Sequence, residues 1–398
     1  MRDFINLLKN NENFRILSTV QLICYFGAWF SHTGIFTLLI ELKAPVWAIT
    51  LCAAMAFIPG VVLAPFSGVL IDRIRPKSLL MGALLIETFS VLLLVFIDDI
   101  KLLWLLVGLI FIRMGVAGVS FQTQMSLLPR ILSKSELKLA NEIHSIIWAV
   151  SYTAGMSLAG VYIHFFGIVS AFLFDFALFL LAFFILLRLK ADIEASHKSE
   201  RALAMLKSGL SYLRQNPLVL NLILLHSFVG LTAYDTLVAL LAEYKYAAVI
   251  SIPLAIGFTN GVRAVALMIS PAILSRFTNN STLVFLYLGQ GVGIVLWALF
   301  QFDFYAAFIG LFVAGFFTST LWSYTYTLIQ THTDERFYGR VVAYTDMIFL
   351  SVGSLTSFVI GWLFDAGFSL SLITAILGVL FFVGAVYLLW VKRAFKLS

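Results

Sequence analysis

Charged residues are scarce in this chain. Asp, Glu, Lys and Arg make up 12% of its 398 residues, and apolar residues make up 61%. An ordinary soluble domain carries about 25% charged residues and is roughly half apolar. A soluble protein of this size needs more charged residues than this to cover its water-exposed surface. The composition therefore excludes a large soluble domain and predicts that nearly the whole chain lies in lipid.

Cysteine and catalytic motifs are also scarce. The two cysteines, Cys24 and Cys52, both lie within apolar runs, where a buried thiol is expected rather than a disulfide or a metal ligand. The sequence has no phosphate-binding loop and no H-E-x-x-H pair. We therefore expect no enzymatic activity, no cofactor and no metal site, and we expect that ATP is not the direct energy source.

Long apolar runs, in contrast, fill the chain. A membrane-spanning helix needs about 20 mostly apolar residues. Runs of this length predict twelve spanning helices, numbered here as segments 1 to 12: 16–40, 47–71, 78–97, 102–126, 140–163, 168–187, 218–242, 250–275, 282–301, 304–328, 341–364 and 369–391. The sequence therefore predicts an all-α membrane protein.

The basic residues lie mostly on one side of these segments. One set of loops holds only Lys43, Lys101 and Lys245, and Arg113 and Arg263 lie inside segments, which leaves 21 of the 26 basic residues in the termini and the other loops. Basic residues concentrate on the cytoplasmic side. We expect both termini in the cytoplasm, a place in the cytoplasmic (inner) membrane and the lipid bilayer as a partner, and we do not expect nucleic acid binding despite the net charge of +6.

The longest polar interval divides the segments six and six. We predict an N-terminal six-helix bundle over 1–189, a cytoplasmic linker over 190–217 and a C-terminal six-helix bundle over 218–398. Within the linker, leucines recur at helical spacing, which predicts an amphipathic helix on the membrane surface, with an ordinary solvated helix as the alternative. These leucines are Leu203, Leu206, Leu210 and Leu213.

A short internal repeat links the two halves. Residues 68–77, after segment 2, align with residues 271–280, after segment 8, at an offset of 203. The second copy keeps an arginine, Arg276 for Arg73, and has Ser275 in place of Asp72. Parallel repeats of this kind are typical of transporters whose substrate site lies between the two halves.

The loop after segment 2 also carries a family resemblance. It resembles the G-x-L-a-D-R-x-G-R-K loop of the major facilitator superfamily, although Arg75 and Pro76 depart from that pattern. The matching residues are Gly68, Leu70, Asp72, Arg73 and Lys77. The resemblance implies twelve helices in two pseudosymmetric six-helix bundles and transport by alternating access between them.

Shorter fragments resemble the drug-antiporter branch of that superfamily, which includes macrolide-efflux-like and enterobactin-exporter-like proteins. The fragments are Asn13-Phe14-Arg15, Phe57-Ile58-Pro59, Phe111-Ile112-Arg113, Leu128-Pro129 and Gly339-Arg340. Segment 5 departs from that branch because it has Gly155-Met156 where a Gly-Pro pair is usual. The resemblance implies proton-coupled export of a small amphipathic molecule, a drug or a siderophore. The alternatives are a lysophospholipid carrier and a non-transporting membrane sensor, and we expect a monomer.

Charged residues inside the segments are candidates for function, because a charge at the bilayer centre is costly and needs a partner or a cavity. They are Glu87, Arg113, Asp175, Asp235 and Arg263. Glu87 and Arg113 lie at similar depth and could pair, for a structural or a transport role. Three acids against two bases leave one carboxyl group for proton coupling, for which we rank Asp235, then Asp175, then Glu87. Asp235 neutralising Arg263 is the alternative.

Polar and aromatic residues within the segments are candidates for a substrate cavity. Gln21 and His32 share a helix face, as do Arg113 and Gln124, since eleven residues make about three helical turns. Asn260 lies on the face of Arg263. Trp29 and Trp322 lie inside their segments, where they stack on substrate or simply pack.

The resemblance also implies a cytoplasmic gate, in which the loop after segment 2 meets segment 11 and the loop after segment 8 meets segment 5. We hypothesise that, when the cytoplasmic side is shut, Asp346 meets Arg73, Arg75 or Lys77, and Glu142 meets Arg276. The residues of this predicted gate are Gly68, Asp72, Arg73, Arg75, Lys77, Glu142, Arg276 and Asp346.

Overall fold

The computed structural model describes residues 2–190 and 202–397, and within these ranges every regular element is helical. The α-helices are α1 (Arg2–Asn10), α2 (Glu12–Glu41), α3 (Val46–Ala54), α4 (Ile58–Arg73), α5 (Pro76–Leu94), α6 (Leu103–Ile131), α7 (Lys134–Phe166), α8 (Ile168–Leu186), α9 (Ala202–Gln215), α10 (Pro217–Ser227), α11 (Asp235–Leu241), α12 (Ile252–Leu274), α13 (Leu283–Phe300), α14 (Ala307–Thr331), α15 (Tyr338–Asp365) and α16 (Leu370–Phe395).

The predicted all-α membrane fold is confirmed. In the described part of the chain, eleven helical stretches are long and apolar enough to cross a membrane. Of the twelve predicted segments, the remaining one is segment 2. It corresponds to α3 followed by α4, and neither helix is long enough alone to cross a membrane. The chain is therefore a multi-pass membrane protein.

The expectation that segment 2 is one continuous helix is wrong. α3 ends at Ala54, and the amide of Phe57 donates to the Ala54 carbonyl at 3.0 Å in a turn between the two helices. Pro59 is the second residue of α4. Because proline has no amide hydrogen, it fits the first turn of a helix and interrupts a continuous one.

Segment 7 is interrupted as well. α10 gives way to a 3-10 turn over Phe228–Thr232, and the helix resumes as α11 and a π-helical turn over Ala242–Tyr246. At Gly230 the chain lies so close to α15 that a Cβ atom would sit 2.8 Å from the Phe349 carbonyl oxygen. At this break the Thr232 carbonyl accepts hydrogen bonds from Arg263 and from the Tyr234 amide, each at 2.9 Å, so this membrane-buried backbone oxygen is satisfied.

The chain divides into two compact units. The first contains Met1–Ala44 and Val62–Ala202, and the second contains Pro45–Val61 and Leu203–Ser398. α3 therefore groups with the C-terminal helices, and it packs along α15 of the second unit, where Thr50 meets Gly361. The predicted linker stays a prediction because residues 191–201 lie outside the described residues.

In the first unit α2 packs against α7 and α8, and α5 packs against α6 and α8. Buried apolar side chains from α2, α5, α6 and α8 form the core, among them Leu17, Leu84, Leu127 and Phe179. These helices surround the buried charged groups of this unit, as described below.

In the second unit α13 packs between α14 and α16. Two glycines allow the backbones of α13 and α14 to touch. A Cβ at Gly293 would lie 2.7 Å from the Ala314 Cα, and a Cβ at Gly310 would meet the backbone of Trp297. Small residues at helix interfaces allow such close approach in membranes.

The predicted surface helix of the linker corresponds to α9, although the side chains of Leu203 and Leu206 lie outside the described residues. In its described part, Leu213 is buried and Leu210 is exposed. The Tyr212 ring stacks on Phe337 at 4.4 Å, immediately before α15. α9 is thus anchored to the second unit, and its location on the membrane surface stays a prediction.

Candidate functional site

A buried ion pair lies at the centre of the first unit. A guanidinium nitrogen of Arg113, on α6, lies 3.1 Å from the Asp175 carboxylate on α8. The Ser31 hydroxyl on α2 donates to the same carboxylate oxygen. The Asp175 side chain is fully buried, and the ring of Phe179 lies 5.8 Å from the guanidinium carbon. Three helices are therefore joined by one charged group.

The suggested pairing of Arg113 with Glu87 is wrong. Glu87, on α5, accepts a hydrogen bond from the Ser120 hydroxyl at 3.4 Å, and Arg113 binds Asp175 instead. Two residues at equal depth in the membrane need not face each other, because depth does not determine the direction in which a side chain points around its helix axis. Gly27 on α2 leaves room for the Asp175 carboxylate, because a Cβ there would clash with its oxygen.

A small cavity of about 70 Å³ lies beside Glu87 within the first unit. Its polar lining comes from Gln21, Tyr25, Glu87, Ser120 and Gln124. A buried water requires about 10–15 Å³ of such space and polar partners, so the cavity has room for water. Gln21 and Gln124, both predicted to line a cavity, meet here inside one unit.

Two other candidates in the first unit lie in a cluster of rings. Trp29 packs against Tyr152 at 4.6 Å, and the His32 ring lies 5.7 Å from Trp29 and 5.0 Å from Phe36. Gly155 allows this approach, since a Cβ there would come within 2.8 Å of Trp29. These contacts match the packing alternative given for Trp29.

A polar network in the second unit surrounds Arg263. Its guanidinium carbon lies 4.8 Å from the centre of the Tyr234 ring, and a guanidinium nitrogen donates to the Thr232 carbonyl. The Tyr234 hydroxyl accepts from the Gln290 amide at 3.5 Å, and Thr318 donates to the other end of Gln290 at 2.9 Å. Among the described contacts of this arginine are a ring and the neutral oxygens of Thr232.

The other two candidates of this region lie near the same network. Asp235 is the first residue of α11, directly after Tyr234, and is partly buried. Asn260 lies three residues before Arg263 on α12 and is buried, and its side-chain oxygen has no hydrogen-bond partner among the described residues. Its amide is therefore a polar group that a ligand or a water can satisfy.

A cluster of rings around His226 was not predicted. His226 on α10 lies 5.8 Å from Trp322, 5.3 Å from Tyr326 and 5.6 Å from Phe349. The Tyr326 hydroxyl lies close to the Asp346 carboxylate on α15. Trp322 and Asp346 were predicted to have separate roles, and nothing in the sequence signals that α10, α14 and α15 bring them to the same place.

One predicted gate residue has a different role in this structure. The Lys77 ammonium group donates to the carbonyls of Leu187 and Leu189, at 3.0 and 2.6 Å, and so caps the C-terminal end of α8. A cation is favoured at that end of a helix. Asp346, the proposed partner of Lys77, lies on α15 of the second unit, and this pairing stays a prediction.

The other gate residues are placed as follows. Arg73, Arg75 and Arg276 are exposed at or just beyond the ends of their helices, and Glu142 is exposed eight residues after the start of α7. The side chain of Asp72 and the surroundings of Gly68 lie outside the described residues. Their predicted pairings stay predictions.

Comparison with known proteins agrees with this architecture. The profile of the Major Facilitator Superfamily matches residues 17–357. A relative from Bacillus subtilis (strain 168), the uncharacterized MFS-type transporter YfiS, is 27% identical over 221 residues. That stretch covers 54% of this chain and 52% of the relative, so the match spans about half of the relative's length.

Two solved structures are similar over nearly the full chain. A nucleoside transporter, NupG, has a TM-score of 0.70 at 13% identity, covering 96% of this chain and 98% of its own. A POT family transporter in complex with 5-aminolevulinic acid has a TM-score of 0.77 at 9% identity, covering 96% of each. At these identities the similarity shows the fold alone. The profile match over most of the sequence shows that the chain belongs to the major facilitator superfamily, a family of membrane transporters.

Proposed function

We propose that this chain is a secondary transporter that exports amphipathic small molecules by alternating access, driven by proton entry. The observation that carries the proposal is the environment of Glu87. This carboxyl group is 8% exposed, lies within a spanning helix, and borders the small cavity of the first unit. Its hydrogen-bond partner among the described residues is the neutral hydroxyl of Ser120.

Such an environment suits a group that takes up and releases a proton. Charging a carboxyl group inside a membrane bundle costs several kcal/mol, roughly, unless a cation or water compensates. Arg113 lies with Asp175, whose negative charge matches it. We infer that Glu87 carries a proton in this state and loses it when water enters the adjoining cavity.

The other two carboxyl groups rank lower for this role. Asp175 is already matched in charge by Arg113, and the oxygen that faces Arg113 also accepts a hydrogen bond from Ser31. Asp235 is the first residue of α11 and directly follows Tyr234, whose ring contacts Arg263. It is the second candidate for the proton-carrying group. This order moves Glu87 from last to first and keeps Asp235 ahead of Asp175, as in the ranking made from the sequence.

We further propose the drug-antiporter branch, a monomer in the cytoplasmic membrane, and cytoplasmic termini. The support for the orientation is the charge distribution: 21 of the 26 basic residues fall on the side of the termini. The fragments that resemble exporters support the branch.

Gradient-driven transport in proteoliposomes tests the proposal. The purified chain is reconstituted, an acid-inside proton gradient is imposed, and uptake of the amphipathic probe ethidium is followed by fluorescence. We expect uptake that stops on addition of a protonophore. Glu87→Gln should abolish the gradient-driven part, because glutamine cannot release a proton.

Glu136→Gln is the matched control. Glu136 is half-buried and lies before the spanning part of α7, so this variant should keep wild-type uptake. Full gradient-driven uptake by Glu87→Gln would contradict the assigned proton site. A fluorescent lysophospholipid in the same vesicles separates the alternative, since preferential movement of that lipid without dependence on the gradient would identify a lipid carrier.

A further inference from the structure

We propose that the second unit binds the cationic part of an aromatic organic cation on a cluster of four rings and one carboxylate. The cluster, called here the ring-acid cluster, consists of His226, Trp322, Tyr326, Asp346 and Phe349. This inference rests on the proposed export function and names its substrate class.

The carboxylate supplies the charge of the cluster. Asp346 is exposed, although it lies about 12 Å along α15 from the start of that spanning helix. An exposed carboxylate at this depth is costly against lipid, so this face of the unit borders water. Asp346 lies three residues before Phe349 on the same face of α15, and its carboxylate is close to the Tyr326 hydroxyl, so it lies beside the rings. A monovalent cation that enters from water therefore meets a positioned negative charge.

The rings provide a surface that favours the same kind of ligand. Trp322 and Tyr326 lie one helical turn apart on α14 and stack at 5.1 Å with 17° between their planes. Trp322 is 41% exposed, so the outer face of the stack is available. The faces of aromatic rings attract cations electrostatically, most strongly for tryptophan, and also stack on aromatic ligands.

His226 forms the floor of the cluster and is 1% exposed. The Thr325 hydroxyl lies 2.7 Å from the Leu321 carbonyl, to which it donates its single hydrogen. It therefore accepts from His226 Nδ1 at 2.9 Å, so that Nδ1 carries the ring proton. Nε2 is buried, and the described residues offer it no hydrogen-bond partner, so a second ring proton would have no acceptor among them. A neutral His226 leaves Asp346 as the charged member of the cluster.

Equilibrium binding tests the site without a gradient and without transport. Binding of radiolabelled tetraphenylphosphonium to the full chain in detergent is compared with binding of tetraphenylborate, which has similar size and opposite charge. We expect saturable binding of the cation and none of the anion. Asp346→Asn should weaken cation binding at least tenfold, and Trp322→Ala should weaken it about three- to tenfold.

Two control variants, both on α15 of the second unit, test for general effects of such substitutions. Asp365→Asn changes an exposed aspartate at the other end of α15, and Trp362→Ala removes a tryptophan that is 68% exposed. Both should bind the cation as the wild type does. Monodisperse gel filtration and an unchanged thermal midpoint without ligand are required of each variant before it is scored.

The outcomes separate the two proposals. Loss of binding in Asp346→Asn and Trp322→Ala with intact controls supports the site. Equal binding of cation and anion, wild-type affinity in Asp346→Asn, or no cation binding by the wild type overturns it. Specific binding by the wild type together with gradient-independent ethidium movement would leave the site standing and overturn proton-coupled export.

Discussion

The two units place an arginine inside the membrane in different ways. In the first unit Arg113 meets a carboxylate, Asp175, which comes from the continuous helix α8. In the second unit Arg263 meets a tyrosine ring and a carbonyl at the break in segment 7. In the second unit, a backbone carbonyl at a helix break accepts the hydrogen bond of the arginine. In the first unit, an acidic side chain does so.

This difference changes what the remaining acids can do. In the first unit the ion pair leaves Glu87 beside a cavity with a neutral partner. In the second unit Asp346 remains exposed, close to a tyrosine hydroxyl. We infer that the first unit handles the proton and the second unit handles the cationic ligand.

The largest effect should come from breaking the charged pair. Asp175→Ala leaves Arg113 buried without its counter-charge, and we expect a loss of about 3–5 kcal/mol in unfolding free energy. Arg263→Met is the comparison, because it removes a ring contact and a hydrogen bond and should cost only about 1–2 kcal/mol. Unfolding in mixed detergent micelles, followed by tryptophan fluorescence, measures both. Similar losses in the two variants would remove the contrast between the units.

A smaller effect should come from helix packing. Gly310→Ala places a methyl group against the backbone of Trp297, which cannot move like a flexible side chain, so we expect a loss of about 1–3 kcal/mol. Gly118 on α6 of the first unit is the matched control, since nothing lies within 4 Å of a Cβ added there. Gly118→Ala should be neutral or stabilise by up to about 1 kcal/mol. A neutral Gly310→Ala would show that α13 and α14 can separate without cost.

Much of the fold could be predicted from hydropathy and charge, because lipid imposes a minimum length on each apolar run. Segment 6 was predicted over 168–187 and α8 spans Ile168–Leu186, and segment 9 was predicted over 282–301 and α13 spans Leu283–Phe300. The break in segment 2 had a local signal in Pro59. The break in segment 7 had none, because it depends on contact between Gly230 and α15.

The candidate site could be predicted only in part. Burial of Arg113 and Glu87 followed from their depth in apolar runs, but their partners depend on how each helix is rotated about its axis. Ser31 and Asp175 meet across 144 positions of sequence, and a single sequence carries no signal of that contact. The ring-acid cluster was missed for the same reason.

The smallest expected difference between the units lies at the starts of α7 and α15. α7 begins with a capping box, in which the Glu136 carboxylate accepts from the Ser133 amide at 2.9 Å and from its hydroxyl at 2.7 Å. α15 makes no side-chain cap and follows a turn in which Asp334 accepts from the Arg336 amide. An acid therefore caps α7 itself, whereas the corresponding acid near α15 caps only the preceding turn.

This difference predicts a local pH dependence. The hydrogen bonds from Ser133 lower the pKa of Glu136 below its ordinary value of 4.5. A lowered pKa means that the cap contributes fully above that ordinary value and is lost as the pH falls through the lower value in the folded state. Amide exchange protection over residues 134–138, corrected for intrinsic rates, should fall as the pH is lowered, and protection over 338–342 should fall less. Glu136→Gln should remove the change in α7, because glutamine does not titrate, and a pH-dependent α7 in that variant would assign the effect to another group.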